Sequence, residues 1–187
     1  MLVLWFSKNG ILNRNSIEDY AIKVIENFNI LNNSLKRIDC LVAYAVKANS
    51  NLSILKTLAK CGAGADVVSY GELKKAIIAG IKPSKIVFSG VGKKTHEIEK
   101  ALEENILQFN IESIEELKKV ASIAKNKKSI AKVALRVNPD VKAGGHPKIS
   151  TGKKGDKFGI DIDVAQDVIC LLYTSPSPRD SWASRMP

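Results

Sequence analysis

The chain is poor in the residues that metal sites, disulfide frameworks and base-stacking surfaces need. It has two histidines and three cysteines among 187 residues. Cys40, Cys61 and Cys170 form no Cys-x-x-Cys pair, fall at no metal-ligand spacing, and their odd number argues against a disulfide framework. No metal is expected, and a reduced, cytoplasmic setting fits this cysteine usage best. Aromatic residues make up 6% of the chain, and none interleaves with the basic runs as a stacking platform for nucleic acid requires. No stretch approaches the roughly 18 consecutive apolar residues of a membrane span. The apolar opening MLVLWF lacks a basic lead and is too short for a secretory signal. Neither a nucleic acid nor a membrane is therefore expected as a partner.

What the chain has in excess is lysine. Lys and Arg number 29 against 19 Asp and Glu, a formal charge of +10. The lysines sit on the polar faces of helical patterns such as GELKKAI and IEELKKVASIAKNKK, which is the placement of a solvated surface. At 45% hydrophobic residues the composition is globular.

From residue 38 the apolar pattern is regular. Ile38–Lys47 reads as a strand, Leu52–Lys60 as a helix through Leu52, Leu55, Leu58 and Ala59, and Ala65–Val68 as a strand. Gly71–Ala79 is helical until Gly80 and Pro83 break it, and Ile86–Phe88 is a strand. Thr95–Glu104 is a helix with Thr95 as N-cap, and Ile106–Phe109 a strand. Ser113–Lys125 is a helix opened by the capping box Ser113-x-x-Glu116, and Ala131–Val137 a strand. Ahead of these lies a helix in SIEDYAIKVIENF, while residues 1–15 give no clear element. A further helix starts over Asp163–Ile169. Residues 171–187, LLYTSPSPRDSWASRMP, turn abruptly to Ser, Pro and Arg and read as non-native sequence or a disordered tail.

Strand and helix alternating at about twenty to twenty-five residues per unit require parallel strands with crossover helices. An open doubly wound sheet and a (β/α)8 barrel both satisfy that pattern, and periodicity does not choose between them. If the fold is a barrel, which needs about 200 residues or more, the chain holds about its first five units.

In either architecture ligands sit beyond the carboxyl ends of the strands. One lysine, Lys47 in AYAVKANSN, stands at such an end. Flanked by Val46 and Ala48 it would be partly desolvated, which frees an amine to bond covalently to a carbonyl compound. A lysine snorkelling to solvent would look the same from position alone. Two Gly-Lys stretches are not phosphate loops. SGVGKKT has Val87 where the first glycine of G-x-x-x-x-G-K belongs and Lys94 in place of Ser or Thr, and STGKKGD has Pro147 at the glycine position.

Six stretches in order give Lys47 a context: YAVKANSN, GADVVSYGEL, IVFSGVGKK, FNIESIEEL, LRVNPDV and HPKISTGKKGDKFGI. Together they resemble the fold-type III pyridoxal-phosphate decarboxylases of the ornithine/diaminopimelate/arginine group, with HPKISTG followed by KFGI leaning toward the diaminopimelate branch. The resemblance covers roughly residues 16–169, within a partial cofactor-binding barrel expected over residues 16–170. It implies the N-terminal part of an alanine-racemase-like (β/α)8 TIM barrel, pyridoxal 5'-phosphate as cofactor, an amino-acid substrate and a homodimer. It implies that Lys47 is the catalytic lysine that holds the cofactor covalently, and that Ala45 lies beneath the cofactor ring. Asp66 and Glu72 match acids near that lysine, and Arg136 matches a basic residue at a neighbouring barrel-mouth position. Bland readings stand beside each of these: a surface Asp66, a helix-starting Glu72 and a solvent-facing Arg136. His146 falls in a Gly/Pro loop, and His96 at a helix start.

Departures narrow the match. The group's Gly-Thr-Pro lead-in is not readable in residues 1–15. Its stacking histidine, phosphate-binding glycines, pyridine-pairing acid and C-terminal β domain would all lie beyond residue 170. Ornithine, arginine and carboxynorspermidine decarboxylases remain alternatives, as does a non-catalytic relative acting as a binding protein. Alanine racemases are disfavoured because Ser50-Asn51 follows Lys47-Ala48-Asn49.

Overall fold

In a computed structural model, residues 3–4, 14–138 and 159–174 are described. The chain divides into two compact units, Met1–Asn110 with Lys119–Ala134, and Ile111–Lys118 with Leu135–Pro187.

The first unit is built on a parallel sheet. The elements up to Leu135 in chain order are β1 (Val3–Leu4), α1 (Arg14–Ser34), β2 (Ala43–Ala45), α2 (Leu52–Lys60), β3 (Gly64–Val67), α3 (Tyr70–Ile78), β4 (Ile86–Phe88), α4 (Thr95–Glu103), β5 (Gln108–Ile111), α5 (Ile114–Asn126) and β6 (Val133–Leu135), of which Ile111, Ile114–Lys118 and Leu135 are counted with the second unit. The sheet order is β1-β2-β3-β4-β5-β6, each strand beside the next in sequence. A doubly wound sheet reverses its order at a switch point, and this one does not. Right-handed crossovers between sequential parallel strands put every helix on one face, which is the construction of a β/α barrel. Successive helices pack on one another, α1 on α2, α2 on α3 and α3 on α4. The choice that periodicity leaves open is thus made by strand order.

Register sorts the side chains into two faces. Tyr44 pairs with Ala65 and Ala65 with Ile86, while Val67 pairs with Phe88 and Phe88 with Phe109. All six are buried, and the Phe88 and Phe109 rings stack with centroids 6.1 Å apart. The helices bury Leu55 and Leu58, Leu73 and Ala76, and Ile98 and Ala101. The opposite face carries the row Ala45, Asp66, Val87 and Gln108, each residue 21 after the last.

Short polar motifs start the helices. Asn49 Oδ1 accepts from the Asn51 N–H (3.0 Å), and Asn51 Oδ1 from the Ser53 N–H (2.8 Å), so the Asn-Ser-Asn after Lys47 is a turn and then the cap of α2. Ser69 and Ser113 cap α3 and α5 alike. Each serine Oγ accepts from the N–H of the glutamate three residues on, Glu72 or Glu116, at 3.2 Å. Those glutamates reach back to the N–H groups of Val68 and Glu112. The cap of α4 is Lys94 rather than the expected Thr95, which is the first helical residue. An ammonium accepts nothing, so only Glu97 serves that end, taking the Lys94 N–H at 3.0 Å.

Two expectations are corrected. Residues 1–15 do contain a strand, the two-residue β1, paired Val3 to Ala43 and Leu4 to Tyr44. The strand expected over Ile38–Lys47 is reduced to Ala43–Ala45, after which Val46–Ala48 turns as one 3-10 step. The second unit contains β7 (Val137–Asn138) paired parallel with β8 (Ile160–Asp161), and α6 (Ile162–Thr174). Gly159 is required between them: its φ is +90°, and a Cβ would lie 3.1 Å from the Arg136 carbonyl oxygen. His146 lies outside the described residues, as do residues 175–187 of the expected tail.

Candidate cofactor site at the strand ends

The candidate site lies where β2 to β5 of the first unit end. Ala45 is fully buried as the last residue of β2, and Lys47 follows two residues later, just past the last strand pairing. The partial desolvation expected for Lys47 is not observed. Val46 is buried, but Lys47 is exposed, because the 3-10 turn carries it out of the sheet. Among the described residues Lys47 makes no hydrogen bond or ion pair, so its amine is accessible to an incoming group.

Asp66 is in β3, directly paired with Ala45, and is 6% exposed. A surface aspartate is thereby excluded: the register places this acid on the lysine-bearing face beside the alanine. Glu72 is used locally, with its carboxylate on the Val68 N–H at 2.9 Å and its N–H on the Ser69 cap. It is a helix-starting acid, as the bland reading has it.

The loops after β3 and β4 are clipped together by Glu97. Its Oε1 accepts from the Tyr70 N–H at 2.9 Å, and its Oε2 from the Lys94 N–H. Burial pushes this carboxyl up, but the two backbone hydrogen bonds and the nearby His96 and Lys94 outweigh it and hold the group below its ordinary range.

Three polar residues on the same face went unread in the sequence. Gln108 Nε2 donates to Asn110 Oδ1, and Asn110 Nδ2 donates to Ser89 Oγ, both at 2.9 Å. Gln108 and Asn110 alternate with the buried Phe109 along β5, and that period-two pattern is the signal that would have found them. Lys93, from SGVGKKT, is buried at 4% exposure. Its ammonium donates to the carbonyls of Gly90 and Asn110 at 2.8 Å each and lies 5.8 Å from the Phe88 ring centroid. A cavity of about 390 Å³ is lined by Ile38, Val42, Ala43, Val87 and Gln108 among others. It includes the loop entering β2, the end opposite Lys47, and is not the lysine's site.

In the second unit Arg136 Nη1 donates to both carboxylate oxygens of Glu112 at 3.2 Å. The arginine side chain is 44% exposed and that of Glu112 only 3%. Arg136 therefore neither points freely to solvent nor is entombed: it covers a buried acid, a partner that the sequence reading did not identify. Among the described residues no group of three or more His, Cys, Asp or Glu could hold a metal, and no helix is long and apolar enough to cross a membrane.

Sequential β/α units in one parallel sheet, with an exposed lysine just past the carboxyl end of one strand and a buried acid on the next, define a segment of a β/α barrel. Residues 21–177 match the family described as "Pyridoxal-dependent decarboxylase, pyridoxal binding domain", and the chain belongs to that family. It is 56% identical over 121 residues to a diaminopimelate decarboxylase of Helicobacter pylori strain J99, covering 65% of this chain and 30% of that protein. It is 50% identical over 137 residues to one from Vibrio cholerae, covering 73% and 33%. The crystal structure of the Helicobacter pylori diaminopimelate decarboxylase complexed with L-lysine superposes with a TM-score of 0.77 at 45% identity, covering 84% of this chain and 39% of that one. The chain thus spans about a third of the length of the curated relatives it matches.

Proposed function

We propose that this chain is the lysine-bearing part of a pyridoxal 5'-phosphate-dependent amino-acid decarboxylase that converts meso-diaminopimelate to L-lysine and CO2. The observation that carries the proposal is Lys47, exposed just beyond the tip of β2, with buried Asp66 paired to Ala45. These residues fit the cofactor. Lys47 offers an accessible primary amine to its aldehyde, Ala45 allows a flat ring close to the strand, and Asp66 supplies negative charge on the adjoining strand. Bound pyridoxal 5'-phosphate supplies an electron sink for the pair of electrons left when a carboxylate departs as CO2.

The chain's own part is holding and orientation. Lys47 holds the cofactor, and its exposure leaves the amine able to give way to a substrate amine. Asp66 is fixed by the strand and favours the protonated state of an amine brought near it. Arg136 is assigned a cofactor-binding role on the family resemblance, with Glu112 fixing its guanidinium. The substrate assignment is supported by relatives at 56% and 50% identity that are both diaminopimelate decarboxylases. We place the enzyme in the cytoplasm as a homodimer whose ligands are small molecules rather than nucleic acid or membrane.

The test is Lys47→Ala in the full-length protein. The unaltered protein should show the cofactor's visible absorbance, borohydride should fix the cofactor at residue 47, and meso-diaminopimelate should yield CO2. The variant should lose all three. An undiminished absorbance band in the variant refutes the role of Lys47. Release of CO2 from ornithine or arginine but not from diaminopimelate refutes the substrate while leaving the cofactor in place.

A further inference from the structure

The Gln108–Asn110–Ser89 row in the first unit has a direction. Asn110 spends its carbonyl oxygen on Gln108 Nε2, so its amide NH2 is what it presents to Ser89. Ser89 Oγ therefore accepts, and its own O–H proton is left to donate. Among the described residues no acceptor takes that proton. Each bond in such a chain polarises the next, which makes the terminal hydroxyl a better donor than an isolated serine.

Register says where the proton is offered. Ala45, Asp66, Val87 and Gln108 form one row across the sheet. Two residues further along stand Asn110, within β5, and Ser89, whose N–H continues the ladder to the Val67 carbonyl, so the serine lies at the carboxyl end of β4, the same end of the sheet at which Lys47 follows β2. Lys93 fixes the backbone of both polar partners. Its buried ammonium ties the carbonyl of Gly90, next to Ser89, to that of Asn110, and the Lys93 carbonyl is in turn held by Lys119 Nζ at 2.7 Å.

We propose that Ser89 is a ligand-contacting residue. Its hydroxyl donates to an anionic oxygen, either the phenolate of the bound pyridoxal compound or the carboxylate of the amino-acid substrate, with Asn110 and Gln108 as positioning residues. The inference rests on the function proposed above.

The experiment compares Ser89→Ala, Ser89→Thr and Asn110→Asp in the full-length protein. It measures the pyridoxal 5'-phosphate dissociation constant by absorbance titration, KM for meso-diaminopimelate, and Tm. Loss of a hydrogen bond to a charged acceptor weakens binding by roughly ten- to hundredfold. Ser89→Ala should show that loss in the cofactor constant if the acceptor is the phenolate, or in KM if it is the substrate carboxylate, with Tm little changed. Ser89→Thr keeps the hydroxyl and should retain most of the affinity. Asn110→Asp puts an acceptor where the amide donor stood, turns the serine proton away from the ligand, and should imitate Ser89→Ala. Unchanged cofactor constant and KM in Ser89→Ala overturn the proposal, as does a Thr variant as impaired as the Ala variant. If the unaltered protein takes up no cofactor, the proposed function falls and this inference with it, an outcome visible before any variant is made.

Discussion

Replacing Glu97 by glutamine should uncouple two loops of the first unit, at a cost set by two hydrogen bonds. One carboxylate oxygen holds the Tyr70 N–H at the start of α3, and the other holds the Lys94 N–H at the cap of α4. A glutamine has one oxygen and one NH2, so one of those N–H groups must face a donor. A hydrogen bond to a charged group contributes roughly 1.5–3 kcal/mol and a neutral one about 1 kcal/mol. Glu97 is half-buried, so water can reach the freed N–H and offset part of the loss. About 2 kcal/mol at neutral pH is the expected destabilisation. The pH dependence has a definite sign. The folded protein holds this carboxyl below its ordinary 4.5, against the opposing effect of burial, by the two backbone hydrogen bonds and the charges of His96 and Lys94. A carboxyl lowered on folding stabilises fully above its unfolded value, and that contribution is lost as pH falls through the folded value. The stability gap between the unaltered protein and the Glu97→Gln variant should therefore hold steady from neutrality down to about pH 5 and close below the carboxylate range. Urea midpoints at several pH values, with an unchanged denaturant slope, measure it. A neutral-pH gap below about 0.5 kcal/mol, or one that widens on acidification, refutes this account of the clip.

Two further outcomes follow from single contacts. Gly64→Ala should destabilise by roughly 1–3 kcal/mol, because a Cβ there runs into the Lys85 carbonyl oxygen of the neighbouring strand connection and meets Leu41 Cδ2 at 3.0 Å; an unchanged melting temperature would contradict the close approach. Glu103 accepts from Lys100 and Lys127 at 2.7 Å each, which lowers its carboxyl to about 2. Lys127→Met should move it back toward 4.5 in an NMR titration, and a carboxyl already titrating there in the unaltered chain would refute the pairing.

Helices were more legible in the sequence than strands. Helix Leu52–Lys60 is found as read, and α3, α4 and α5 lie within a residue of expectation at each end; among the described strands only Ile86–Phe88 matches its expected bounds. Their ends are written in local chemistry: Ser69 and Ser113 sit three residues before the glutamates they cap. Strands have no such punctuation. Ile38–Lys47 shrank to three residues, Ile106–Phe109 slid to Gln108–Ile111, and Val3–Leu4 became a strand only by pairing with Ala43 and Tyr44. A strand's extent is decided by its partner, and the partner lies a crossover helix away.

The same physics divides what was seen of the site from what was missed. The place of Lys47 just past a strand end was legible because a charged residue ending an apolar run is a local anomaly, while its exposure was not. The burial of Asp66 was not, since it follows from pairing with Ala45, 21 residues back. Yet that step repeats from Asp66 to Val87 and from Val87 to Gln108. A constant step between parallel strands means that residues separated by it share a face and a level. Counting on from Val68 by the same interval reaches Ser89, then Asn110, the last two joined by a hydrogen bond. The polar pair was therefore encoded in a spacing rather than in any local motif. The regularity stops at β6, where the Lys132 carbonyl, rather than one three residues earlier, takes the Phe109 N–H. The longer connection carries Arg136 to its Glu112 partner across 24 residues, an interval that the preceding strands could not have supplied.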